Sequence, residues 1–178
     1  MAEKKGRILS VAICPGTFDP VTCGHLDVIV RVARHFEKIV VAVAVNPAKR
    51  PLFTADERVA MLKESIGGVK NIDVIAFDSL LIDVAHEHGS CCIVKGLRAM
   101  SDFEFEFQMA QLNRQMDENI ETFFVMASPG YTYLSSSGLK EVISYGGSIK
   151  GLVPEIVERR LRARLVGRGA TPDALEKE

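Results

Sequence analysis

The chain has 178 residues, with 22 Lys and Arg against 23 Asp and Glu and a formal net charge of −1. A chain this near neutrality has no global field for a polyanion, so any phosphate chemistry must rest on local cations. Hydrophobic residues make up 47% and charged residues 25%, which suits one globular domain with a sizeable core. No apolar run approaches the ~20 residues that cross a bilayer. The basic start "MAEKKGR" leads into an apolar stretch that stops at Pro15, which reads as no signal peptide. The expectation is a protein without membrane or nucleic-acid partners.

In chain order the elements alternate. "RILSVAIC" (7–14) reads as a first strand, followed by a loop, "PGTFDPVTCGH", and a helix over 24–36. "KIVVAVAV" (38–45) is the second strand, and "NPAKRPLF" leads to a helix over 54–66, where Thr54 and Glu57 form a capping box. "NIDVIAF" (71–77) and a helix over 79–88 come next. "CCIVK" (91–95) is followed by "GLRAM" and a helix over 101–117, for which Ser101 and Glu104 suggest a second capping box. "ETFFVMA" (121–127) closes the set of strands; a fifth helix begins in "SSSGLKEVI" and a sixth follows Pro154. Each strand is almost continuously apolar, as buried parallel strands are. Five of them alternating with helices predict a Rossmann-like, doubly wound five-stranded parallel sheet with helices on both faces. The expected organisation is one domain over 1–165 and a flexible tail over 166–178.

Cys14, Cys23, Cys91 and Cys92 form no CxxC pair and the four histidines lack metal-ligand spacing, so free thiols in a reducing cytoplasm are expected. No protein metal ligand is assigned.

In open parallel sheets, ligands bind beyond the carboxyl ends of the strands, at the switch in strand order. Four loops fall at that edge, and each carries groups suited to phosphate. The first has Thr17, Thr22 and His25, with glycines that let backbone approach a ligand and a helix aiming its N–H groups at the edge. The second has Lys49 and Arg50, and the third has Lys95 and Arg98 about Gly96. The fourth has Ser135, Ser136 and Ser137 at a helix start. Neither GxGxxG nor GxxxxGK[ST] occurs there, and no GxSxG elbow follows a strand.

"TCGH" (Thr22 to His25) resembles the T/HxGH signature of the nucleotidylyltransferase superfamily, and "LSSSGLKEV" resembles its second, ISSS-type signature with Leu134 in place of isoleucine. "PGTFDP", "KGLR" and "DFEFEFQMAQLNR" resemble, at corresponding places, the bacterial phosphopantetheine adenylyltransferase family, over about residues 8 to 160. The resemblance implies AMP transfer from ATP to 4′-phosphopantetheine, giving 3′-dephospho-coenzyme A and pyrophosphate with Mg2+, in a cytoplasmic homohexamer. It implies His25 as transition-state stabiliser, with Lys49 and Arg98 as further catalytic cations. ATP contacts would be Thr17, Phe18, His25, Gly96, Leu97, Arg98, Glu106 and the run Tyr131, Thr132, Tyr133, Leu134, Ser135, Ser136, Ser137. Contacts to the acceptor would be Thr17, Lys49, Leu81 and Lys95, the last standing where many members have arginine. Another T/HxGH enzyme (a nicotinamide mononucleotide adenylyltransferase or a glycerol-phosphate cytidylyltransferase) and a non-catalytic nucleotide-binding domain are the alternatives.

On the 101–117 helix, Phe103, Phe107 and Ala110 fall on one side and Phe105, Met109, Leu112 and Met116 on the other. The expectation is core on one side and a subunit contact on the other.

Overall fold

The computed structural model describes residues 10–46 and 50–165. Five strands form one sheet: β1 (Val11–Gly16), β2 (Lys38–Ala44), β3 (Ile72–Phe77), β4 (Cys92–Leu97) and β5 (Glu121–Met126). Their order is β3-β2-β1-β4-β5 and every pairing is parallel. The helices are α1 (Cys23–Ala33), α2 (Ala55–Ile66), α3 (Leu81–Glu87), α4 (Met100–Met116), α5 (Ser136–Ser144) and α6 (Glu155–Leu165). A short 3-10 turn at Pro129–Tyr131 was not expected from the sequence. The predicted doubly wound sheet is therefore the fold, although β1 runs on to Gly16 and β4 to Leu97. Both extensions continue the apolar runs into the glycine loops. The predicted stretch 7–9, Lys49 and the predicted tail 166–178 lie outside the described residues.

Period-two alternation divides the core. Ala12 and Cys14 of β1 face one cluster, built with Val28, Ile29, Met61, Leu62, Leu139, Val157 and Leu161 from α1, α2, α5 and α6. Ile13 faces the other, with Val40, Ala42, Ile82, Val84 and Ile93. The Thr54–Glu57 capping box forms as predicted, and Gly67 ends α2 in the left-handed conformation at φ 60°. The Ser101–Glu104 box does not form. The helix starts one residue earlier, with Ala99 at its cap, and Asp102 accepts the backbone N–H of Arg98 instead.

α4 departs from expectation in a second way. Of its residues only Asn113 is buried. The side with Phe103 is the one that meets the body: Phe107 is 46% exposed and stacks on Phe103, which in turn lies edge-on to Phe124 of β5. Among the described residues no helix is long and apolar enough to cross a membrane.

What the topology positions is a split. β1 and β4 are in register at one pair, Ile13 and Ile93. Beyond it β1 stays with β2 as far as Gly16, and β4 stays with β5 as far as Leu97. The chain winds outward from β1 to β3 and then crosses to β4, so this is the switch in strand order.

Candidate active site

A cleft of about 610 Å³ opens at that split, within the size range of small-molecule sites. Its walls come from the ends of β1 and β4 and from the first turns of α1, α4 and α5. Thr17, Phe18, His25, Lys95, Gly96, Arg98, Glu106 and the three serines all line it, as the sequence predicted. Leu81, Leu97 and the run Tyr131 to Leu134 are not among its lining residues. Leu81 packs instead on the core beneath the other face of the sheet. The cleft also holds Arg50, named with the second loop, Phe105 of the α4 stripe, and Asp19, Asp102 and Lys140, to which the sequence reading gave no role.

His25 is the third residue of α1, and its ring closes a capping box. Thr22 Oγ1 accepts the His25 backbone N–H at 3.3 Å. The Thr22 backbone N–H in turn donates to His25 Nδ1 at 3.0 Å. A nitrogen that accepts from an N–H carries no proton, so the neutral ring bears its hydrogen on Nε2. Burial and, secondarily, the nearby Arg98 guanidinium lower its pKa from 6.5 to about 4. The imidazole is therefore neutral near pH 7 and still a donor. Phe18 stands edge-on to it at 5.1 Å between centroids, shielding it further.

The glycines act differently from the simple expectation of ligand approach. A Cβ on Gly24 would lie 3.2 Å from Tyr131 Cβ, and one on Gly16 would lie 2.8 Å from the Phe18 ring. At Gly96 it would meet Val28 at 3.2 Å. They let protein segments close on one another around the cleft, which brings Tyr131 and Leu134 behind the T-x-G-H turn rather than into the cleft.

The cations of the cleft are held by carboxylates. Arg98 donates through Nε and Nη2 to Asp102 at 3.1 and 3.0 Å and through Nη1 to the Leu134 carbonyl at 2.9 Å. This fork holds the Asp102 carboxyl below its usual range, against the opposing effect of burial. Lys95 lies 3.0 Å from Glu106 Oε2, an ion pair whose angles fall outside hydrogen-bond geometry. Lys140 pairs with Asp19 at 2.7 Å. Arg50 is the cleft cation without a protein partner among the described residues.

The serines divide their work. Ser135 caps α5, accepting from the Gly138 N–H at 3.0 Å. Ser136 Oγ donates to the Pro20 carbonyl at 2.8 Å, across the cis Asp19–Pro20 bond. Asp27, two residues beyond His25, accepts the N–H and Oγ of Ser128 at 3.1 and 2.9 Å and is braced by Arg31. It joins α1 to the segment leading into the serines, a link with no sequence signal beyond its place on the helix. The Cys14 thiol, at the cleft floor, is pushed up to about 12, mainly by burial, which leaves it un-ionised.

The cytidylyltransferase-like family profile matches residues 13–142. A phosphopantetheine adenylyltransferase of Symbiobacterium thermophilum is 52% identical over 153 residues, covering 86% of this chain and 94% of that protein. The chain belongs to the phosphopantetheine adenylyltransferase family. Proteins of that name from Caldanaerobacter subterraneus and Methylococcus capsulatus are 51% and 46% identical, over 96% and 98% of their own lengths. The residues of this family member that line the cleft, Cys14 to Lys140, all fall within the matched region.

Proposed function

We propose that the protein transfers AMP from ATP to 4′-phosphopantetheine, giving 3′-dephospho-coenzyme A and pyrophosphate, a step in coenzyme A biosynthesis. An oxygen of the acceptor phosphate forms a bond to the α-phosphorus while the bond to the β-phosphate bridging oxygen breaks, and pyrophosphate leaves with that electron pair. The nucleophile is already ionised near neutral pH, so no strong general base is required. The neutral His25, with its hydrogen on Nε2, carries this reading: it can donate to the α-phosphate as charge gathers there without titrating across the working range. Arg98, oriented by Asp102, and the N-terminus of α5 supply further donors for the triphosphate. Lys49 and Lys95 are assigned to the acceptor phosphate, with Thr17 between the two substrates; Phe18, Gly96, Leu97, Glu106 and residues 131–137 belong to the nucleotide side. Leu81, outside the cleft lining, is assigned to the part of the acceptor that extends beyond the cleft.

The described residues bring no three His, Cys, Asp or Glu side chains together to hold a metal ion. The cleft carboxylates Asp19, Asp102 and Glu106 are all committed to cations. They do not build a protein magnesium cage. Mg2+ would enter on the oxygens of the triphosphate, where this ion keeps several waters.

Assembly into a homohexamer and residence in the cytoplasm are part of the same proposal. Self-association is supported by the exposed apolar stripe Phe105, Met109, Leu112 and Met116 on α4, with exposed Phe123 and Met126 on β5. The activity is tested by incubating the protein with ATP and each of 4′-phosphopantetheine, nicotinamide mononucleotide and glycerol phosphate. Mass spectrometry should find 3′-dephospho-coenzyme A with the first and no adenylated product with the others. The reverse selectivity would assign the cleft to a different acceptor.

A further inference from the structure

Two buried charges stand at the cleft, and both are bound to groups of the protein itself. Arg58 of α2 is 2% exposed and Asp19 is 6% exposed. Arg58 forms no ion pair with a carboxylate among the described residues; its guanidinium is spent on backbone. Nη1 donates to the carbonyls of Thr17 and Ala44 at 2.7 and 3.0 Å. Nε donates to those of Phe53 and Thr54 at 3.1 and 3.3 Å. Asp19 works from the opposite sign. Its two oxygens accept the N–H groups of Leu52 and Phe53, each at 2.9 Å, and Oδ2 also takes Lys140 Nζ at 2.7 Å.

The two side chains therefore tie four pieces of the molecule: the loop after β1, the end of β2, the entry to α2 and, through Lys140, α5. A buried guanidinium is costly to desolvate, and an apolar side chain often fills such a volume with no loss of stability. A role confined to folding does not call for it. What the network fixes is the placement of Thr17 on one rim of the cleft relative to Arg50 and the chain that follows it on the other. Phe18 lies between the two anchored residues at φ 49°, a left-handed conformation that a bulky residue keeps only where its surroundings hold it. The surroundings are Arg58 on the Thr17 carbonyl and the Asp19 carboxylate bound to the opposite loop.

We propose that Arg58 and Asp19 are positioning residues that lock the Thr17–Asp19 loop and the Arg50–Thr54 segment into one frame, so that two phosphorylated substrates meet in line. The kinetic part rests on the proposed adenylyl transfer; the structural part does not.

The test uses full-length Arg58→Lys, which keeps charge but loses the fork, and Asp19→Asn, which keeps volume. The control is Leu161→Val, a fully buried change in α6 outside the cleft lining. Misplacing reacting groups by about 1 Å costs on the order of 10² in rate. Both test variants should lose roughly ten- to a hundredfold in kcat, with KM for ATP within about threefold of wild type. Hydrogen exchange should rise in peptides spanning residues 16–22 and 50–55 of both, and not in the control at a matched loss of Tm. Should Arg58→Lys not fold, Asp19→Asn carries the test. Normal kcat in folded variants, exchange that stays protected, or an equal kcat loss in the control would overturn the inference. A wild-type protein inactive on ATP and 4′-phosphopantetheine would instead sink the proposed function, and the exchange readout would still decide the frame.

Discussion

The two ends of the sheet are finished to different degrees. On the side of β2 and β1, the middle five residues of β2 are buried, and α1, α2, α5 and α6 close one cluster over them. Polar groups there are paired to a fault: His25 to Thr22, Asp19 to two amides and a lysine, Arg58 to four carbonyls. On the side of β5 and α4, the strand has no buried residue and the helix has one. Most of the large apolar side chains of α4 face outward, while its Asp102, Phe105 and Glu106 line the cleft. The first region is completed by its own chain and holds His25 in its capping box; the second offers exposed apolar surface.

The largest effect should come from charging the unfinished side. Leu112→Glu places a carboxylate in the middle of the exposed α4 stripe, where burial against a partner would demand its desolvation. Sedimentation should show the wild type as an oligomer and the variant as smaller species that keep the helical circular dichroism of the fold. A wild type that sediments as a monomer at micromolar concentration would remove the partner from the comparison.

On the finished side, His25→Ala should lower kcat by about 10²–10³, the typical loss for one preorganised donor. ATP affinity should change little, since the donor acts as charge develops. Normal turnover in the variant would reduce His25 to its capping role.

Acid should destabilise the finished side first. His25 titrates near 4 when folded and at 6.5 otherwise, so the unfolded chain binds the extra proton between those values. Stability is full above about pH 6.5 and falls as pH drops towards 4, by on the order of 3 kcal/mol. The carboxyls of Asp19, Asp27 and Asp102 are held low, and their stabilisation is lost only at lower pH. Thermal melts of wild type and His25→Gln between pH 7.5 and 4.5 should converge toward acid. Parallel curves would contradict the neutral ring.

The smallest effect is expected at Thr54. Removing the capping hydroxyl with Thr54→Ala should cost about 1 kcal/mol in denaturant unfolding and leave turnover unchanged.

The contrast also marks what the sequence could disclose. Strands whose residues are buried on both faces announce themselves as apolar runs, and the T-x-G-H and serine turns lie at the ends of such runs. The Thr22–His25 spacing is local, so the capping geometry was open to reading. Arg58 was not: it stands in an ordinary helical pattern, and its partners are distant carbonyls, which leave no mark on composition. Nor was the Lys95–Glu106 pair, joined only when α4 folds back on β4. Which side of α4 meets the body stayed open, because helical periodicity shows only which residues share a side. A helix with two apolar sides gives no means of choosing between them. The roles of the Gly16, Gly24 and Gly96 turns were half legible: their place at the cleft was clear, while the close approach of Phe18, Tyr131 and Val28 required the fold.

The central claim is direct adenylyl transfer in the cleft between β1 and β4. Its most direct test is pyrophosphate release from ATP, measured with and without 4′-phosphopantetheine. The account predicts one pyrophosphate for each 3′-dephospho-coenzyme A formed, and neither a burst nor steady release when the acceptor is absent. Release from ATP alone at the same rate, or none in the presence of acceptor, would contradict it.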